Sequence, residues 1–346
     1  MLFLVIGLPD RFVRHCQDLA IRLVRRAFGP AELFDANTLD EIGRKLLLGG
    51  VPHAVVAAHQ PGGGLRRALS EIAQRFIVVL DNPLPALANL VADREVPLAA
   101  ATRMVASSCG SFRCFCDTPG ALILRADQTG SDDSHRLAAT IAQHLELDLP
   151  SEAVAEIVRC ADPVAAGYDQ QAAAAWWDGL DPAERAMTAG ALGVYLDPAA
   201  DMSGPLSWAP ALFFAGDQST EPLSGSIDIT GRARRLLRGP HIMLPPGNWS
   251  LAATFDFSAD AADHSFVVEI TAGASLARVV IRPPEAGIFE IQQSLTIEDL
   301  PERPIELRLH SERPAFGGEL TLLGVTLTPQ TAQTTATTTP LANGEQ

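Results

Sequence analysis

At 346 residues, 47% of them hydrophobic, the chain is long enough for two domains, each with its own core. Residues 1–150 carry 15 Arg plus Lys against 16 Asp plus Glu, a net −1, and the remainder carries 11 against 25, a net −14. This implies two units of different character, and it excludes nucleic acid as a partner because no basic footprint is supplied.

The chain opens with "MLFLVIGL". The run has no basic segment before it and is too short to span a bilayer, so it reads as a buried first strand and not as a signal peptide or membrane span. Residues 11–27 follow with helical spacing, Phe12, Leu19, Leu23 and Phe28 lying near one stripe. "TLDEIGRKLLLGG" has a Thr38 cap, an acidic first turn and terminal glycines, which mark a second helix. "PHAVVAA", "FIVVLDNP" and "GALILRAD" are further strands, alternating with helices at "GGLRRALSEIAQR", "LPALANLVAD" and "DDSHRLAATIAQHLELD". This alternation predicts an α/β fold, a parallel sheet with helices on both faces. "GGGLRRAL" (62–69) lacks a following Lys-Ser/Thr, so its glycines read as a flexible loop before the helix.

The five cysteines, Cys16, Cys109, Cys114, Cys116 and Cys160, are odd in number. They imply reduced thiols and a cytoplasmic protein. "CGSFRCFC" does not have the paired C-x-x-C spacing of a zinc site and reads as a partly buried loop, so no metal is expected. His53 and His59 flank the second recognised strand with no carboxylate or cysteine at ligand spacing. Residues 161–200 read as a helical segment in which Asp181-Pro182 forms a cap and first turn, and the Pro/Gly/Ser-rich stretch 201–210 reads as a linker.

Beyond it the period changes to two. "NWSLAATFDF", "SFVVEITAG", "SLARVVIRPP", "GIFEIQQSLTI", "RPIELRLHS" and "GGELTLLGVTL" alternate apolar and polar residues, with Pro- and Gly-containing turns between several of them. This predicts an antiparallel β-sandwich over 211–330, followed by a low-complexity, disordered tail at 331–346. Trp249, Leu251, Phe255 and Phe257 share one parity, as do Ile305, Leu307 and Leu309, and these should face the core. The opposite parity carries Arg278, Arg282, Glu290, Gln292, Glu306, Arg308 and His310. Planar polar side chains on one sheet face can hydrogen-bond sugar hydroxyls, so Arg282, Glu290, Gln292, Arg308 and His310 are the glycan-binding candidates.

Two resemblances follow from these segments. In the order of its elements, residues 1–160 resemble the sulfotransferases, a P-loop-related family that uses phosphoadenosine phosphosulfate. In that family the first strand leads to a loop like P-[RK]-S-G-T-[TS], and a later strand ends in R-[ND]-P with a serine on the next helix. Here Pro9 falls on the loop proline, Asp10 falls on the basic position, and Arg11, Phe12, Val13 and Arg14 occupy the hydroxyl-rich stretch. Asn82 and Pro83 are in place, but Asp81 sits where the family has an arginine for the nucleotide 3′-phosphate, and Asn89 sits at the serine. Asp127 falls in the family's short acidic stretch.

The frame is retained while two expected cations are carboxylates, and a carboxylate a few Å from a phosphate costs a few kcal/mol at intermediate dielectric. The resemblance therefore implies a degenerate, non-catalytic domain with no cofactor, whose vestigial anion site would be Arg11 and Arg14. "GPHIMLPPGNWSLAATFDF" and "GGELTLLGVTL" resemble jelly-roll modules found with carbohydrate-active and exopolysaccharide proteins. Together these imply glycan recognition or scaffolding in bacterial exopolysaccharide or cell-envelope biosynthesis, with a polysaccharide or a polysaccharide-biosynthesis protein as partner. The alternatives are a divergent sulfotransferase acting on a saccharide and a structural protein-interaction subunit.

Overall fold

The computed structural model describes the chain except at residues 73, 127, 129–133, 162–169, 197–203, 217–219 and 331–346. Asp127 and the expected disordered tail therefore lie outside the described residues. The first unit is a parallel sheet of strands β1 (Leu2–Ile6), β2 (Ala31–Asp35), β3 (His53–Ala58), β4 (Phe76–Leu80) and β5 (Ala121–Arg125), in the order β2-β3-β1-β4-β5. Its central strands are continuous apolar runs because both faces are covered. Phe3 and Val5 face a core with helices α1 (Arg11–Phe28), α6 (Ser134–His144) and α7 (Ser151–Cys160), while Leu4 and Ile6 face a second, larger core. Helices α2 (Leu39–Gly49), α3 (Gly63–Glu71) and α4 (Pro83–Ala92) follow β2, β3 and β4.

Strand β2 was not expected from the sequence. "AELFD" is an edge strand bonded on one side only and carries two carboxylates, so it lacks the apolar run of its neighbours. The second difference is helix α5 (Leu98–Cys116), which holds "CGSFRCFC" where a loop was expected. Ser, Gly and Cys are weak helix formers, but here their small size is what packing demands. Burial pushes the thiols of Cys109 and Cys114 up to about 12 and that of Cys116 to about 11.

Helices α8 (Gln170–Asp178) and α9 (Pro182–Leu192) follow α7. The Asp181 carboxylate accepts from the Ala183 N–H at 2.8 Å, and Glu184 reaches back to the Asp181 N–H, which closes a capping box.

The second unit is an antiparallel β-sandwich. One sheet runs β13-β10-β15-β6, with β8 also paired to β15, and the other runs β12-β11-β14-β9-β7. The strands are β6 (Leu206–Trp208), β7 (Phe214–Ala215), β8 (Ile227–Asp228), β9 (Arg235–Ile242), β10 (Gly247–Phe257), β11 (Phe266–Ala272), β12 (Ala274–Ile281), β13 (Gly287–Ile297), β14 (Ile305–Ser311) and β15 (Glu319–Gln330). Trp249, Leu251, Phe255, Phe257, Ile305, Leu307 and Leu309 are all buried between the sheets, the parity expected from their alternation. Within 201–210, read as a linker, residues 206–208 instead form β6, whose Leu206 and Trp208 are fully buried. Three residues are too short to show a period, and the surrounding Pro and Gly hid them.

Helix α5 joins the two units. Its Ala101, Val105, Phe112 and Phe115 belong to one core that also holds Leu4 and Phe76 of the parallel sheet and Trp208, Phe213 and Phe255 of the sandwich. The Met243 N–H, between β9 and β10, donates to Ser107 Oγ at 3.1 Å. One turn on, a Cβ at Gly110 would lie 2.2 Å from the Met243 carbonyl oxygen. The glycines before α3 serve the same end: a Cβ at Gly63 would lie 2.0 Å from the carbonyl oxygen of Leu300 in the β13–β14 loop. They seat the sandwich and are not a free loop. Arg66 then pairs with Asp299 at 2.5 Å, and Arg67 pairs with Glu302.

Gly→Ala inside a helix normally stabilises by about 1 kcal/mol. At Gly110 the sign should reverse. Gly110→Ala is expected to destabilise by about 1–3 kcal/mol through overpacking against a backbone carbonyl, measured by urea unfolding. A stabilised variant would show that α5 and the sandwich do not meet in this way.

Candidate functional site

Two places have the chemistry for a site. The first is the C-terminal edge of the parallel sheet between β1 and β4, where the chain's direction of winding reverses. Ligands of open α/β sheets bind in this crevice. The loop after β1 turns through Gly7 and Pro9 into α1, and the loop after β4 turns through Asp81 into α4.

The N-terminus of α1 is already occupied. Asp10 is 1% exposed and its Oδ1 accepts from the Val13 N–H at 2.8 Å, so the chain's own carboxyl oxygen takes the place an anion would occupy. The Val13 side chain closes the loop from inside, 2.6 Å from where a Cβ on Gly7 would stand. Asn89 on α4 donates to the Pro9 carbonyl at 3.0 Å and ties the loop down. Asp81, also buried, accepts from the Asn82 N–H at 2.6 Å. Burial, and then the negative charge of Asp81, raise the Asp10 carboxyl to about 8. Of the two arginines expected near this loop, Arg11 pairs with Asp93 at 3.7 Å across a half-exposed surface. The pKa of Arg14 is lowered by partial burial and by nearby Arg94.

The second place is the outer face of the β12-β11-β14-β9-β7 sheet. Strand register sets Arg278, Glu269, Arg308, Arg238 and Phe214 side by side, one from each strand in that order. Arg308 lies between two carboxylates, bonding Glu306 at 2.5 Å and approaching Glu269 at 3.7 Å. Burial works to raise the Glu306 pKa, but the Arg308 hydrogen bond and charge, with His241, hold it below its ordinary value. The Arg308 guanidinium is held charged by the same bond.

Arg103 of α5 reaches over the Phe214 ring, its guanidinium carbon 4.4 Å from the centroid, while Arg238 stands 5.3 Å from the same ring. Arg238 also lies 3.3 Å from His241 Nε2. Burial lowers the His241 pKa against the pull of Glu306. The floor of the site therefore holds four guanidinium groups and two carboxylates, a local positive excess on a unit that is otherwise acidic.

The structure separates the expected glycan-binding residues. Arg308 and His310 lie on the outer face just described, with His310 opposite Arg235. Arg282, just past the end of β12, is exposed and takes the Asp263 carbonyl at 2.8 Å. Glu290 and Gln292 are on β13 in the other sheet, bonded to each other at 2.7 Å. Single-strand parity cannot tell two outward faces apart, which is why the five were grouped together. Arg103, Arg238, His241 and Glu269 went unrecognised: cross-strand register sets Glu269 and Arg238 beside Arg308, His241 lies against Arg238, and Arg103 arrives from α5. "RLLRGPH" carried the available signal for β9, masked by Gly239-Pro240 in its middle.

Neither a protein-family model nor a curated protein matches the sequence. Solved structures similar to parts of it include a mouse sulfotransferase complexed with PAP, at 13% identity over 57% of this chain and 84% of that one, with a TM-score of 0.41. The C-terminal CBM6 of LamC, a marine laminarinase from Zobellia galactanivorans, is 16% identical over 36% of this chain and 99% of its own, with a TM-score of 0.26. The CBM36-1 domain of a multidomain xylanase from the hindgut metagenome of Trinervitermes trinervoides is 7% identical over 37% of this chain and 99% of its own, also with a TM-score of 0.26.

The state of Asp10 has a measurable consequence. Folded, it keeps its proton up to about pH 8, against an ordinary value of 3.8. The native state thus holds the extra proton between those values, and stability falls as pH rises through that window before levelling off. Asp10→Asn keeps a good helix cap and removes the titration. It is expected to stabilise the protein by on the order of 2–4 kcal/mol near pH 8, with the gain vanishing near pH 4. Chemical denaturation at both pH values measures it, and an equal effect at both would show that Asp10 is ionised throughout.

Proposed function

We propose that the protein is a non-catalytic glycan-recognition protein whose ligand is an acidic saccharide chain, read by the outer face of the β12-β11-β14-β9-β7 sheet. The observation that carries the reading is the row Arg278–Glu269–Arg308–Arg238, which crosses adjacent strands on a single face. Strands in a sheet stand about 4.8 Å apart, close to the length of one sugar ring, so a row of three arginine donors with the Glu269 acceptor among them suits a chain that carries both hydroxyls and negative charges. Arginine forks bind carboxylate or sulfate groups in two-point fashion. Glu269 and Glu306 hold the Arg308 fork in place and accept hydroxyl protons.

The α/β unit supports the non-catalytic part of the proposal. A phosphate brought to the β1–α1 loop meets the Asp10 cap and the Asp81 carboxylate in place of a cation. Two like charges about 4 Å apart cost about 4 kcal/mol at an effective dielectric of 20.

Calorimetric titration with uronate-bearing, sulfated and neutral oligosaccharides tests the reading. The acidic oligomers are expected to bind with a dissociation constant in the micromolar range, about −8 kcal/mol, and to weaken with added salt. The double variant Arg278→Ala with Arg308→Gln should lower that affinity at least tenfold, about 1.4 kcal/mol, while phosphoadenosine phosphate gives no heat. Equal binding of neutral and acidic oligomers, or binding unmoved by the double variant, would refute the assignment of this face.

A further inference from the structure

Strand β9 carries an irregularity beside the row of arginines. Its partner β14 pairs Ile305 with Ile242 and Glu306 with Pro240, so His241 is an extra residue opposite neither. Its φ is 65°, a left-handed conformation uncommon outside glycine. A bulge of this kind re-aims a side chain. Here the imidazole is half-buried and tilted against the Phe214 ring, 6.0 Å between centroids, with Nε2 3.3 Å from Arg238 Nη1. Glycine or asparagine would satisfy that backbone at lower cost. What histidine adds is a nitrogen directed at Arg238.

The direction of that bond fixes the state of the ring. A guanidinium only donates, so Nε2 accepts and the imidazole is neutral, its proton on Nδ1. The surrounding charges agree. Arg238 lies on the same strand, Glu306 and Arg308 come from β14, and Arg103 comes from α5. Burial lowers the pKa of the ring; Glu306 opposes this, and the three arginines add to it. We infer that His241 is a positioning residue that ties anion binding on this face to the uptake of a proton: it holds the Arg238 fork while no anion is present, and becomes imidazolium when a ligand anion claims that fork. The inference rests on the reading of this face as a site for acidic saccharides.

The exchange balances. The ligand anion accepts the Arg238 N–H that His241 Nε2 had accepted. The lone pair released on Nε2 binds a proton from solvent, and the new N–H faces the anion. One positive charge is gained where a negative charge has arrived. An anion within about 4–6 Å favours the charged imidazole, so the ring holds its proton to higher pH in the complex than in the free protein. By reciprocity, affinity for the anion rises as pH falls between those two values. A neutral saccharide brings no charge and gains nothing, so His241 widens the preference for acidic chains as the pH falls.

Calorimetric titration of the full chain with a sulfated oligosaccharide, which keeps its charge throughout, tests this between about pH 8 and 5.5. Affinity is expected to rise about tenfold over that range. Near the middle of it, the heats in buffers of different ionisation enthalpy should differ by the uptake of up to one proton. His241→Gln keeps an amide oxygen for Arg238, and His241→Asn suits the left-handed backbone. Both should still bind, with neither the pH dependence nor the proton uptake. His310 stays in every variant, so its titration is common to all. Binding that is flat with pH and takes up no proton overturns the inference and leaves the reading of the face standing. A pH dependence unchanged in both variants does the same. No binding at any pH refutes the reading of the face, and this inference with it. Far-UV circular dichroism of each variant confirms that the fold is retained.

Discussion

The close approach of α5 to the backbone at Met243 is the constraint on which the architecture depends. A parallel α/β unit and an antiparallel sandwich have different periods and different layer spacings, and neither presents a ready surface to the other. A helix with small residues at 107, 108, 110 and 111 allows contact at backbone distance, with the Met243 N–H taken by Ser107 and its carbonyl resting over Gly110. The apolar side chains on either side then merge into one core. Arg66 and Arg67 repeat the arrangement at the other end of the contact, where Gly63 admits the Leu300 carbonyl.

This joint also shapes the polar face of the sandwich. Arg103 belongs to α5, yet its guanidinium lies on Phe214 at the edge of the β12-β11-β14-β9-β7 sheet. Burial lowers its pKa, and the ring offers the partly desolvated cation a favourable surface. The positive end of the row is thus built by the first unit on the second. Glu306 and Glu269 counter that charge at Arg308, so the face combines fixed cations with acceptors rather than forming an unbroken basic patch.

In the α/β unit the electrostatics run the opposite way. The crevice between β1 and β4 is where the sheet's topology offers a ligand site, and the chain fills it with Asp10 and Asp81. Asp10 satisfies the helix end that an anion would otherwise seek. Burial, and then the negative charge of Asp81, raise the Asp10 carboxyl to about 8. The crevice is closed by the same kinds of group that would have to be absent for it to bind phosphate.

The sequence by itself determined what depends on period and on local chemistry. Runs such as "LFLVI" and "FIVVL" had to be strands covered on both faces, and the alternation around Trp249 and Leu307 set which residues fill the sandwich. The carboxyl groups at Asp10 and Asp81 were equally legible, since the residue type alone carries them. Tertiary structure decided everything that depends on register or on contact between distant segments. Strand β2 exists because β3 offers it hydrogen bonds, against the pull of its own composition. "CGSFRCFC" is helical because a crowded joint needs small side chains. Glu290 and Gln292 share a parity with their strand's outward face but face away from Arg308, because parity repeats on each sheet and only hydrogen-bonded neighbours share a surface.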